Sequence, residues 1–140
     1  MSELANIGIM PKILAMEQFI LNHEKGVKEL PVKHHHIEGV YVRELFIPKD
    51  MVLTGAIHNT EHISILAQGT IRVTNGTDSF EISAPHVMVD KPGVKRMGWA
   101  LTDCTFINVI RTDKTDVDEI ENEVTSKTFE EFEQKLVGRQ

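Results

Sequence analysis

The amino-acid sequence predicts a mainly β domain: a sandwich or barrel of short strands, with a helical arm at its N-terminal end and a helical tail at its C-terminal end. Three observations lead there. Between residues 37 and 112, runs rich in strand formers alternate with regular turn signals. No helix-length apolar pattern interrupts them, which excludes βαβ units. Helical periodicity is confined to residues 1–30 and 113–140.

In chain order, residues 1–30 read as the helical arm. Pro11 suits a first helical turn, and Ile13, Leu14, Met16, Phe19, Ile20 and Leu21 make one broad apolar face that needs a surface to pack on. Gly26 and Pro31 end it. Residues 31–112 form the β domain. Its strands are expected over Val40–Ile47, Met51–His58, His62–Leu66, Thr70–Thr74, Phe80–Ile82, His86–Val89, Lys95–Leu101 and Thr105–Arg111. Turns fall at Pro48-Lys49-Asp50, Gln68-Gly69 and Lys91-Pro92-Gly93, and Asn75-Gly76 is the strongest hairpin signal. Residues 113–140 return to helix as a solvated acidic tail. Thr115 or Asp116 caps a first stripe of Val117, Ile120 and Val124. Thr128 and Glu131 form a capping box ahead of Phe129, Phe132 and Leu136.

Length and composition bound the function. The chain has 140 residues, a one-domain length, and its 41% hydrophobic content is enough for a core. No apolar run is long enough to span a bilayer, and the first 25 residues carry Glu3 and Glu17 without a basic start, unlike a secretory signal. The single cysteine, Cys104, excludes an internal disulfide framework and fits a reducing, cytoplasmic setting. A net charge of −6 argues against nucleic-acid binding. The acidity is concentrated in residues 113–140, which hold nine acids and four bases.

Chemistry-bearing residues gather around one corner. Gly55 to Gly69 places His58 and His62 on either side of a tight turn between two extended runs, so both imidazoles can enter one cavity. Neutral imidazole is a common ligand of transition metals, and a metal needs convergent donors. Glu61, between the two histidines, is a candidate general base or third ligand, or a turn carboxylate paired with Lys or Arg. In His34-His35-His36 the side chains alternate, so His35, or His34 together with His36, faces a pocket; His35 is the candidate ligand. Lys95 and Arg96 follow a Pro-Gly turn, and Arg43 lies in the run 40–47. A guanidinium grips carboxylate or phosphate through its planar fork. Tyr41 and Trp99 are the large amphipathic aromatics able to stack on a ring, although core packing is their commoner fate. No nucleophilic triad order, phosphate-binding glycine loop or zinc-protease helix is present.

The stretch 55–69, with Pro85 to Asn108, resembles the cupin superfamily. The first motif of that family ends in His-x-His, three or four residues, Glu, six residues, Gly. Gly69 then puts His62 at the Glu position, His58 at the second His and Ala56 at the first. Pro92-Gly93-Val94-Lys95-Arg96 matches the second motif loosely, with Arg96 where its metal-binding His stands and Asn108 farther along than the pattern asks. The resemblance implies a single jelly-roll barrel. The wider pattern (His-His, Gly-Val-Tyr-x-Arg-Glu, Thr-Glu-His, Pro-Gly-x-Lys-Arg) also resembles small cupin-like proteins of tailed bacteriophages.

Two readings of function follow. In the first, the barrel mouth binds an anionic ligand that bears a carboxylate or phosphate, a nucleotide-like molecule being one example, through His58, His62, Lys95, Arg96, Arg43, Tyr41 and Trp99, and the protein is a sequestering or accessory one. In the second, implied by the resemblance, it is an isomerase, lyase or oxygenase using one divalent transition metal (Zn, Fe, Mn or Ni) on His58, His62 and His35, with Glu61 as base. An inward Arg96 would repel such an ion unless Glu61 or Glu44 balances it. The apolar faces of arm and tail favour a homo-oligomer, and an architectural role without a ligand is a third reading.

Overall fold

The computed structural model describes residues 30–75 and 78–137; the predicted helical arm over 1–30 lies, but for Leu30, outside them. The described strands are β1 (Val32–Ile37), β2 (Val40–Ile47), β3 (Val52–Thr54), β4 (Ile57–His58), β5 (His62–Gln68), β6 (Thr70–Thr74), β7 (Ser79–Ser83), β8 (His86–Asp90), β9 (Met97–Ala100), β10 (Cys104–Arg111) and β11 (Thr125–Ser126). Two helices, α1 (Val117–Val124) and α2 (Phe129–Val137), complete the described chain.

Two antiparallel sheets face each other. One has the order β1-β2-β10-β5-β8, the other β3-β9-β6-β7, and β4 pairs with β11 in a third, two-stranded ribbon. Alternation along each strand sorts the side chains. On β2, Tyr41, Leu45 and Ile47 are buried inward, whereas Phe46 is exposed. Leu45, Ile47, Leu66, Ile71, Val73, Ile82, Ala100 and Cys104 form the core at one end of the sandwich. Burial pushes the Cys104 thiol up, as suits a small apolar core residue rather than a nucleophile.

The turns form for identifiable reasons. Asp50 takes the left-handed conformation (φ 71°) where Met51 N–H returns to the Pro48 carbonyl. The predicted hairpin joins β6 to β7, with Asn75 Oδ1 accepting from Asp78 N–H at 2.9 Å. Gly69, between β5 and β6, has φ +91°, and a Cβ there would run into the Asp103 carbonyl and the Cys104 sulfur.

The outline departs from the sequence reading in three places. The expected run 51–58 breaks at Gly55-Ala56, so β3 joins the four-stranded sheet while β4 joins the ribbon. The histidine triplet is part of a strand, β1, paired to β2. The acidic tail is not merely solvated. Asp116 caps α1 by accepting from Glu119 N–H at 3.1 Å, and Ile120 and Val124 then pack with Tyr41 and Ile110 in a second buried cluster. Thr128 Oγ1 accepts from Glu131 N–H at 3.1 Å at the start of α2, which buries Phe132 against Ile57. The charges occupy the outward faces, so periodicity rather than net charge decides how this segment packs.

Towards the β8 edge the outer face of the five-stranded sheet is apolar, whereas its β1 side carries Lys33, His35 and Glu44. Cross-strand register aligns Val42, Val109, Ile63 and Val89 in one row, and Ile107, Ile65 and Val87 in the next. Val87 and Val89, on the edge strand β8, are 63% and 57% exposed.

Gly69→Ala is expected to destabilise the fold by about 2 kcal/mol or more, because it adds a clash with backbone to an unfavourable φ. Urea unfolding should show a lower midpoint at unchanged slope.

Candidate functional site

A cavity of about 790 Å³ opens between the two sheets and is closed at one end by α1. Inward positions of β2 supply Tyr41 and Arg43, β5 supplies His62 and Ser64, β8 supplies Met88 and Asp90, and β10 supplies Phe106 and Asn108. His58 enters from β4, Arg96 from the turn ahead of β9, and His34 from β1. Much of the remaining wall is aliphatic, including Leu45, Ile71 and Val73.

The polar residues at the back of the cavity form one network. Asp90 is 4% exposed and is its hub. Arg96 donates a charged hydrogen bond to Asp90 Oδ1, and Ser64 Oγ donates to Oδ2. Asn108 Nδ2 donates to Ser64 Oγ at 3.0 Å, and His62 Nε2 lies 3.3 Å from both Asp90 Oδ2 and Ser64 Oγ. Because the Ser64 hydroxyl proton is committed to Asp90, the network assigns the ring proton of His62 to Nε2. Burial works to raise the Asp90 carboxyl, but the hydrogen bonds from His62, Ser64 and Arg96 outweigh it and hold the group well below the usual carboxylate range.

The two corner histidines meet as predicted, face to face. Their ring centroids are 3.9 Å apart at an interplanar angle of 23°. Burial first, then the neighbouring His62, pushes His58 down from the usual 6.5 to about 3, so this ring is neutral at physiological pH. The Nδ1 atoms of both rings are buried without a hydrogen-bond partner among the described residues. An unmet buried polar atom costs about 1–3 kcal/mol, which a ligand donor could recover.

His58 is held in place by the tail. Thr125 of β11 pairs with it in register, and its carbonyl accepts from Gly93 N–H at 2.9 Å. Next to it, Asn59 N–H donates to the Val124 carbonyl at 2.6 Å, and Ser126 Oγ donates to Asn59 Oδ1 at 2.5 Å. Gly93, at φ +85°, lies where a Cβ would meet the Phe132 ring.

Several expected site residues face elsewhere. Glu61, the candidate base, does not line this cavity; its carboxylate lies on the surface 2.5 Å from Lys91 Nζ. His35 points outward to Glu44, 3.0 Å away, and it is His34 that lines the cavity and bonds the Tyr41 hydroxyl at 2.6 Å. Trp99 lies on the outer face of the four-stranded sheet, in register with Val52 and Arg72 and 44% exposed. Lys95 is buried and donates to the Gly55 carbonyl at 2.8 Å, tying two loops together instead of lining the cavity. Arg96 does face inward, and Asp90 balances it in place of Glu61 or Glu44. Sequence reasoning missed Asp90, Ser64 and Glu121. A period-two extension of His86–Val89 would have placed Asp90 inward beside Met88.

The residues present do not fit a metal centre. Among the described residues, no group of three or more His, Cys, Asp or Glu side chains is placed to hold an ion. The lone pairs of stacked imidazoles lie in near-parallel planes and do not converge on one point. Asp90, the nearest carboxylate, is already bonded by Ser64, His62 and a guanidinium.

Solved structures share this architecture. A cupin superfamily protein from Desulfitobacterium hafniense aligns at TM-score 0.52 and 7% identity, over 67% of this chain and 87% of its own. KdgF from a Halomonas species aligns at TM-score 0.52 and 17% identity, over 68% and 92%. An RmlC-like cupin family protein with a double-stranded β-helix fold from Methanocaldococcus jannaschii aligns at 0.50 and 13%, over 66% and 88%. At these identities the likeness is one of fold, which is that of the cupin barrels. No family model matches the sequence, and no curated protein does. Among the described residues, no helix is long and apolar enough to cross a membrane.

Acid should weaken this fold through His58. Its lowered folded-state pKa means that stability is complete above about pH 6.5 and is lost as pH falls from there towards 3, by up to about 1.4 kcal/mol per pH unit. Thermal unfolding between pH 7 and pH 4 should show that slope, and His58→Asn should flatten it. An unchanged slope would assign the acid sensitivity to other groups.

Proposed function

We propose that this chain binds a small anionic organic molecule in the barrel mouth, with Arg43 as the group that receives its negative charge. One observation carries this reading. Two guanidinium groups line the cavity, and Asp90 balances Arg96, whereas Arg43 has no ion-pair partner among the described residues. A cation facing a largely aliphatic, partly desolvated cavity is a costly arrangement that an anionic ligand relieves.

The surrounding groups complete the site. Tyr41, held by His34, presents a phenol near the guanidinium on the same strand face. The two histidines offer unmet ring nitrogens. Apolar side chains of both sheets cover the carbon skeleton. His58 is neutral and no described carboxylate other than Asp90 lies in its network, which supports binding without turnover. That suits a sequestering or accessory role.

Short carboxylates and phenyl phosphate are suitable probes. Calorimetry should find a single saturable site, and Arg43→Gln should weaken it at least about tenfold, roughly 1.4 kcal/mol. Binding that survives Arg43→Gln unchanged would overturn the assignment. Arg96→Gln is not an equivalent test, because it leaves Asp90 buried without its cation.

The outer face of the five-stranded sheet supports self-association through a second copy of the chain. Its two apolar rows run out to the open edge of β8, whereas monomers rarely expose a contiguous apolar patch of this kind. Light scattering at micromolar concentration should give a dimer or larger, and Val87→Lys combined with Ile63→Lys should give a monomer. A monomeric wild-type chain would reject this.

A further inference from the structure

The cavity carries a second charge that the anionic reading leaves unused. Glu121, on α1, lines it together with Arg43 of β2. No ion pair joins the two, and neither is paired with another side chain among the described residues. Two other carboxylates of this region are engaged. Glu123 lies 3.3 Å from Lys114 Nζ, and Glu131 lies 3.0 Å from Lys135 Nζ.

Helix geometry explains why Glu121 differs. Ile120 and Val124 hold α1 against Tyr41 and Ile110, so the residue next to Ile120 is carried to the rim of the same opening. Its backbone carbonyl receives both the amide and the hydroxyl of Thr125, which ends the helix and fixes the base of the side chain. Both charges act on one phenol. Burial raises Tyr41, Arg43 pulls it down and Glu121 pushes it up. The guanidinium and the carboxylate therefore both stand within electrostatic reach of the Tyr41 hydroxyl, from different walls of the cavity.

Glu121 is exposed at the opening, whereas Arg43 is partly buried in the cavity wall. Here they stay separate, one on a sheet and one on a helix. A molecule with an anionic and a cationic end joined by a short apolar spacer could meet both charges. We propose that the ligand is zwitterionic: its carboxylate meets Arg43, its ammonium meets Glu121, and the Tyr41 hydroxyl contacts the segment between. This rests on the anionic-ligand reading of the same cavity and adds the second charge to it.

Matched pairs of probes separate the two claims. Glycine, β-alanine, γ-aminobutyrate and δ-aminovalerate are compared by calorimetry with acetate, propionate, butyrate and valerate, the same chains without the amine. At one chain length the amino acid should bind at least about tenfold more tightly than its twin. Glu121→Gln should remove that preference and leave carboxylate affinity in place. The substitution is isosteric at an exposed position, so the fold should persist, as circular dichroism would verify. Arg43→Gln should weaken both members of each pair. Equal affinity of the twins, or a preference that survives Glu121→Gln, would overturn the zwitterion and leave the anion site standing. Failure of every carboxylate to bind would overturn both.

Discussion

The buried ion pair between Asp90 and Arg96 is the interaction on which the interior of this barrel depends. A carboxylate that is 4% exposed is tolerable only if its charge is met and its lone pairs are filled. Arg96 meets the charge, while Ser64 and His62 occupy the other oxygen. Asn108 completes the chain by bonding Ser64, so three strands and one turn are joined through a single acid. Removing the Arg96 guanidinium strands the buried Asp90 charge, at a cost of about 3–5 kcal/mol. The pair also sets the chemistry of its surroundings. A guanidinium already present next to two stacked imidazoles raises the electrostatic cost of a second cation there, and the carboxylate that would offset it is committed.

The C-terminal segment is part of this site rather than an appendage. Its helix α1 closes the cavity and its strand β11 pairs with the backbone of His58. Asn59 and Ser126 bond side chain to side chain across the junction, and Phe132 fills the space over Gly93. The burial that keeps His58 neutral therefore depends in part on residues more than 60 positions away in the chain. The hydrophobic ridge of Ile120 and Val124 does structural work and, in the same turn of helix, brings Glu121 to the cavity rim. One short amphipathic helix thus links core packing to the lining of the cavity.

Much of the fold was legible in the sequence, and the reasons are local. Strand β2 was expected over Val40–Ile47 and β6 over Thr70–Thr74, and both form there, because β-branched residues alternate cleanly between defined turns. The two helix starts were legible, the first as Thr115 or Asp116, of which Asp116 is the cap, and the second as the Thr128–Glu131 pair, since capping needs only neighbours in sequence. The meeting of His58 and His62 was legible for the same reason: a short corner brings both ends together. Which face of a strand looks inward was not always legible. Trp99 is outward because β9 pairs Gly98 opposite Val73 and Leu53 on the core side, a long-range register that no local pattern reveals. His34 and His35 were interchangeable until β1 was paired to β2, when Tyr41 selected His34. The partner of Arg96 was sought at Glu61 and Glu44, whereas Asp90 was passed over as the end of an apolar run.

The distribution of charge inside the barrel then separates two kinds of polar residue. Asp90, Arg96, Ser64, Asn108 and His62 satisfy one another and form a neutral floor, whose function is to be rigid. Arg43 and Glu121 do not satisfy each other, because one is anchored in a sheet and the other in a helix that packs on it. Folding stability alone gives no reason to aim an unpaired guanidinium at an aliphatic cavity, since outward placement would hydrate it at no cost. The neutral floor can be explained by the fold, whereas the divided pair at the rim calls for something that enters from solution. The proposed binding therefore rests on the rim residues rather than on the histidines, even though the histidines first mark the site in the sequence.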